Sequence, residues 1–226
     1  MSVKAETENI SSDFVEEAAG HGTDHEIKIR DGEEAFDWNQ LFGNFRPVEI
    51  EIGCGRGMFI IKSALENPEI NFLGIEKSAR FFRMFKERVA KSGAENIRLI
   101  RAEAGYLIKK FVPAHSVKAV HVYFPDPWPK RKHEKRRIWG EAFVKEILRV
   151  LEPGGHIYVA SDVRAYFLTI QATLSRMAAL EQVRIPRSWP ITGYARKYLA
   201  VGRPLFCTMF VKHEPLDGLK SAAQRE

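Results

Sequence analysis

Cysteine is scarce in this chain. Its 226 residues hold two, Cys54 and Cys207, far apart and each among apolar neighbours. Two such thiols form neither a disulfide framework nor a metal-ligand cluster, so the expectation is a reducing compartment and no bound metal. Long apolar runs are missing too: no stretch approaches the roughly 20 residues that cross a bilayer. The acidic first residues lack the apolar core of a secretion signal. A cytoplasmic protein without a membrane partner is expected. Internal repeats are absent, and a monomer or a homodimer is expected.

The charge that is present is unevenly spread. Residues 1–37 carry eleven acids against three bases, so the net +6 of the whole chain conceals +14 after residue 37. A domain with that excess attracts polyanions, nucleic acid first among them. The division expected is an acidic, disordered tail over 1–26, one folded domain over 27–213 and a polar tail over 214–226.

Helical and strand patterns alternate through that domain. Strands are expected at 48–52, 70–75, 96–100, 117–124 and 156–160, with further pieces near 183–185 and 205–212. Helices are expected at 58–66, 78–91, 138–151 and 164–180. Ser78 reads as an N-cap and Gly93 as a stop. An apolar lead-in (Trp38, Leu41, Phe42, Phe45) precedes the first strand. The alternation defines a doubly wound α/β fold, whose ligands bind at the carboxyl ends of the strands.

At the end of the first strand stands EIGCGRG, with Gly53, Gly55 and Gly57 at the strand-to-helix turn. Glycine suits a backbone that must turn tightly and approach a ligand closely. About twenty residues on, the second strand ends in Glu76, placed to accept from ribose hydroxyls. A dinucleotide enzyme shares those features. Glu51, just before the glycines, favours S-adenosylmethionine instead, since a carboxylate suits an ammonium and a sulfonium but repels a pyrophosphate. After the third strand, Glu103 could accept from an adenine amino group.

The fourth strand runs into YFPDPWPKRKHEKRRI. Pro125, Pro127 and Pro129 stiffen the turn and hold Asp126 at the ligand edge. Trp128 beside it could stack on a base. The basic run from Lys130 onward suits phosphates. His121, inside an apolar strand, reads as a satisfied core histidine. Phe81, Phe82 and Phe85 lie at helical spacing and read as core, and Cys54 reads as a small packing residue.

The segments VEIEIGCGRG, FLGIEKS and YFPDPWPKRKHEKRRI resemble those of the bacterial tRNA (guanine-N7-)-methyltransferases, the TrmB family. The likeness extends over roughly residues 38–212. It implies a Rossmann-like class I methyltransferase sheet, mostly parallel with an antiparallel C-terminal strand, S-adenosylmethionine as cofactor and tRNA as substrate. Glu51, Glu76, Glu103 and Asp126 match the family's cofactor-binding positions, and Asp126 also its catalytic one. Lys130 and Asp162 match substrate-binding positions. Lys132, His133, Lys135, Arg136 and Arg137 match the stretch that contacts RNA. The implied reaction converts guanosine 46 of the variable loop to 7-methylguanosine. In a late loop the family carries Thr-x-(Phe/Tyr)-Glu. Thr192 and Tyr194 keep that pattern, but Ala195 replaces the acid. The alternative reading is therefore a methyltransferase of altered substrate, or an RNA-binding relative with weakened catalysis.

Overall fold

The computed structural model describes residues 25–29, 34–127, 138–186, 195 and 199–213. The tails expected over 1–26 and 214–226 fall almost wholly outside the described residues.

Among the described residues seven strands form one sheet: β1 (Val48–Ile52), β2 (Asn71–Glu76), β3 (Ile97–Arg101), β4 (Val117–Tyr123), β5 (Leu151–Ser161), β6 (Leu180–Val183) and β7 (Phe206–Lys212). Their order is β3-β2-β1-β4-β5-β7-β6. The first five run parallel, and β7 lies antiparallel between β5 and β6. A parallel sheet requires crossover connections, and helices supply them on both faces. One face packs against α1 (Trp38–Phe42), α4 (Ala104–Phe111), α5 (Glu141–Val150) and α6 (Arg164–Ser175). The other packs against α2 (Met58–Glu66) and α3 (Ala79–Ser92). Strand periodicity divides β1 between them: Val48, Ile50 and Ile52 join the first core, while Glu49 and Glu51 point to the α2 side.

Local chemistry sets the helix ends. Asp37 caps α1, its carboxylate accepting from the Asn39 and Gln40 N–H groups at 2.9 and 3.2 Å. Ser78 precedes α3 as expected, and Gly93 closes it at φ 74°. Before α1, residues 25–27 lie along β3, where Leu99 N–H donates to His25 and Ile27 N–H donates to Leu99, both at 2.8 Å. No helix among the described residues is long and apolar enough to cross a membrane.

Several expected boundaries shift. The helix expected at 138–151 begins at Glu141, because Trp139 is buried and Gly140 is extended. Residue 151 already belongs to β5. The helix expected at 164–180 stops at Ser175, and Leu180 opens β6, which pairs through Val183 with Met209. The strand expected at 183–185 is thus displaced toward the N-terminus. Phe81 is not core: it is 43% exposed, while Phe82 and Phe85 are buried. Each helical residue turns by about 100°, so adjacent Phe81 and Phe82 cannot both face the sheet. Helix α4 is not among those expected. Gly105 weakens its signal, although Leu107, Ile108 and Phe111 face the core.

Candidate active site

The carboxyl ends of β1, β2 and β4 converge on one edge, and the glycine turn is its centre. Gly53, Gly55 and Gly57 adopt φ of 73°, 56° and 71°, the left-handed region that side chains avoid. The turn is tied to β2, with Gly53 N–H donating to Ile75 at 2.8 Å, and it closes where Gly57 N–H donates to Cys54 at 2.8 Å. A β-carbon at Gly57 would lie 2.1 Å from the Phe85 ring, whereas at Gly53 and Gly55 it would meet open space. Phe85 therefore backs the turn, and its outer side stays clear for a ligand. Gly74 of β2 makes room for the same ring, at 2.6 Å.

Glu76 ends β2 and reaches across. Its Oε2 accepts from Gly55 N–H at 2.8 Å and its Oε1 from Ser78 N–H at 2.7 Å. Each oxygen keeps a second lone pair, which could take a ribose hydroxyl.

Glu51 is in the opposite condition. It is buried, with Oε2 lacking any hydrogen-bond partner among the described residues. The Ile60 N–H, unsatisfied within the first turn of α2, bonds its carboxyl group. Burial pushes the Glu51 carboxyl up to about 8; that N–H opposes the rise and the Glu76 charge adds to it. A buried carboxyl oxygen without a partner, beside a glycine turn, fits a cationic ligand group such as the ammonium of S-adenosylmethionine. Cys54 lies within electrostatic reach of both acids. Burial first, then Glu51 and Glu76, push its thiol well above the ordinary value, which agrees with a packing role.

Glu103 is exposed just past β3 and serves as the N-cap of α4, accepting from Gly105 and Tyr106 N–H groups at 3.1 and 2.7 Å. Glutamate is an unusual cap, so this function is not legible from the residue type. Asp126 is exposed in the turn beyond β4. Phe124, between them, adopts φ 52°, and its N–H donates to Ala160 of β5 at 2.8 Å. No sequence signal predicts that left-handed residue before Pro125. Asp162 is half-buried just beyond β5, beside the buried Ser161.

Ala195 is buried, 3% exposed, in helical backbone. Trp128, Lys130, Lys132, His133, Lys135, Arg136, Arg137, Thr192 and Tyr194 lie outside the described residues. His121 is buried and satisfied, as expected: Nε2 lies 2.9 Å from Glu49 Oε2 and Nδ1 lies 2.8 Å from the Tyr123 hydroxyl.

A 3-2-1-4-5 parallel order, extended by an antiparallel strand and carrying a glycine turn after β1, defines a Rossmann-like methyltransferase fold. Solved structures share it. The 16S rRNA methyltransferase KamB superimposes with TM-score 0.56 at 16% identity, over 80% of this chain and 96% of that one. TrmN of Thermus thermophilus gives 0.54 at 18% identity, over 77% and 46%. Residues 45–207 match the family described as "Putative methyltransferase". The tRNA (guanine-N(7)-)-methyltransferase of Syntrophotalea carbinolica is 35% identical over 184 residues, 78% of each chain. That of Bacillus subtilis is 35% identical over 75% of this chain and 82% of its own. The chain belongs to the tRNA (guanine-N7-)-methyltransferase family.

Proposed function

We propose that this protein methylates N7 of guanosine in tRNA, at position 46 of the variable loop, and that it does so in the cytoplasm. Residues 27–213 form the catalytic domain in this reading, and 1–26 and 214–226 are appendages. The observation that carries it is the buried, unpaired Glu51 oxygen at the glycine turn, in a chain whose relatives named for this reaction align over three quarters of its length. S-adenosylmethionine is the cofactor, and it supplies a methyl group activated on a positively charged sulfur.

Each side chain has a specific task. Glu51 holds the ammonium. Glu76 accepts from the ribose hydroxyls while its bond to Gly55 keeps the turn in place. Gly53 and Gly55 leave the space a side chain would fill, and Gly57 shapes the turn against Phe85. Glu103 fixes the start of α4 and can accept from the adenine amino group through its remaining lone pairs. Lys130, Asp162, Thr192 and Tyr194 hold the guanosine. Lys132, His133, Lys135, Arg136 and Arg137 hold RNA phosphates.

Guanine N7 carries an in-plane lone pair and no proton, so no general base is needed. Rate acceleration rests on aligning N7 with the methyl carbon. As the purine gains positive charge, Asp126 orients the base and offsets that charge. The alternative reading, altered substrate or weakened catalysis, rests on Ala195 alone and is not favoured.

Nucleoside analysis of unmodified tRNA incubated with protein and cofactor tests the proposal. The expected product is 7-methylguanosine, mapping by strand scission to position 46. A different methylated nucleoside would overturn the reaction assigned, and a different position would overturn the site.

A further inference from the structure

Three polar side chains, two buried and one half-buried, lie beneath the active edge, on strands where aliphatic residues would pack at less cost. Glu49 of β1, His121 of β4 and Tyr123 of β4 satisfy one another in a row. Burial raises the Glu49 carboxyl, but the His121 hydrogen bond, together with positive charge at His121, Lys118 and His156, outweighs it, so it lies below the ordinary value. A carboxylate only accepts, so His121 Nε2 is the donor to Glu49, while Nδ1 lies within hydrogen-bonding distance of the Tyr123 hydroxyl. The imidazole is held flat against Tyr158, with ring centres 4.7 Å apart at 3°.

The position of this row matters more than its composition. His121 is the register partner of Glu51 on the adjacent strand. Tyr123 is the last residue of β4, directly before left-handed Phe124 and the Asp126 turn. Phe59, in the first turn of α2, packs on both rings, 5.0 Å from His121 and 4.6 Å from Tyr123. The next residue, Ile60, gives its N–H to Glu51. One cluster therefore touches the base of the cofactor turn and the base of the Asp126 turn.

We propose that His121 is a positioning residue for methyl transfer: through Tyr123 and Phe59 it sets the separation of the Asp126 turn from the glycine turn. This rests on the methyltransferase reading above. A reaction governed by alignment is sensitive to such a spacer, since a displacement of about 1 Å can cost about 100-fold in rate.

The test compares Tyr123→Phe, which deletes one hydroxyl, with His121→Phe and the double variant. The expected result is a roughly 10- to 100-fold fall in the single-turnover rate with each. The double variant should fall by less than the product of the two single losses, because both singles remove the same His121–Tyr123 bond. Dissociation constants for cofactor and tRNA should stay within about twofold. Hydrogen exchange at the Phe124 amide in Tyr123→Phe should quicken while amides within β1 and β4 keep their protection. A wild-type rate with unchanged Phe124 exchange in Tyr123→Phe overturns the proposal, as does a rate loss matched by an equal loss of cofactor affinity. The exchange measurement needs neither RNA nor turnover. A wild-type protein that makes no 7-methylguanosine would therefore sink the functional reading while the link from Tyr123 to Phe124 is still judged.

Discussion

Glu76 and Glu51 stand at the ends of neighbouring strands within electrostatic reach of each other, yet only Glu76 has both carboxyl oxygens bonded. Glu76 accepts from Gly55 and Ser78, while Glu51 keeps one buried oxygen without a partner. The difference separates a carboxylate that builds the turn from one held ready for a ligand. Glu51→Gln keeps the shape and an acceptor for Ile60 but removes the charge. Cofactor affinity should fall about 10- to 100-fold, the size of one charge-assisted hydrogen bond of roughly 1.5–3 kcal/mol. Calorimetric titration checks this. Unaltered affinity would remove Glu51 from the cofactor site.

The same residue makes binding and stability depend on pH. In the free protein its carboxyl is raised to about 8 from an ordinary 4.5. The native state thus holds a proton that the unfolded chain releases, and stability from this group is full below 4.5 and lost as pH rises through 8. An ammonium beside the carboxyl reverses the preference, so cofactor binding at pH 7 should release about one proton. Titrations in buffers of different ionisation enthalpy measure that release, and Glu51→Gln should abolish it. Proton release equal in the two proteins would contradict the assignment.

Asp126 is exposed, so its carboxylate can be changed without disturbing the core. Asp126→Asn should lower turnover by about 100- to 1000-fold, as loss of charge stabilisation typically does. Unfolding temperature and tRNA affinity should stay close to wild type. Single-turnover kinetics with saturating tRNA decide the matter, and a rate within a fewfold of wild type would transfer the role elsewhere.

The glycines of the turn should not respond alike. Gly57→Ala meets both a left-handed backbone, at φ 71°, and the Phe85 ring at 2.1 Å. Strain of about 1 kcal/mol or more adds to overpacking of about 1–3 kcal/mol. Gly53→Ala carries the strain but meets open space, so about 1 kcal/mol is expected. Urea unfolding of both variants tests the order, and equal losses would mean that Phe85 yields.

That contrast shows where sequence reasoning stops. The apolar runs of β1, β2 and β4, and the acids and glycines that end them, lie at short range and reveal both the doubly wound sheet and its ligand edge. Phe85 backing Gly57 and Gly74 is a contact between remote segments, and no local pattern encodes it. The left-handed Phe124 is imposed by the chain around it, against its own preference. Phe81, adjacent to buried Phe82, has the composition of a core residue but faces outward. His121 is legible as a satisfied histidine, but its partners Glu49 and Tyr123 appear only once β1 and β4 are side by side.

The basic run beyond Asp126 should act on every tRNA alike. A lysine that neutralises one phosphate releases counterions, contributing about one unit to the slope of log affinity against log salt. Lys132→Ala should therefore reduce that slope by about one and weaken all tRNA substrates by similar factors. The methylated position should not move, because phosphate contacts set affinity and register but do not read the base. Asp126→Asn should leave the slope as it is in wild type, which separates RNA holding from chemistry. Filter binding across a salt series gives both slopes. An unchanged slope with Lys132→Ala, or losses that differ strongly between tRNAs, would show that this lysine does not contact phosphate.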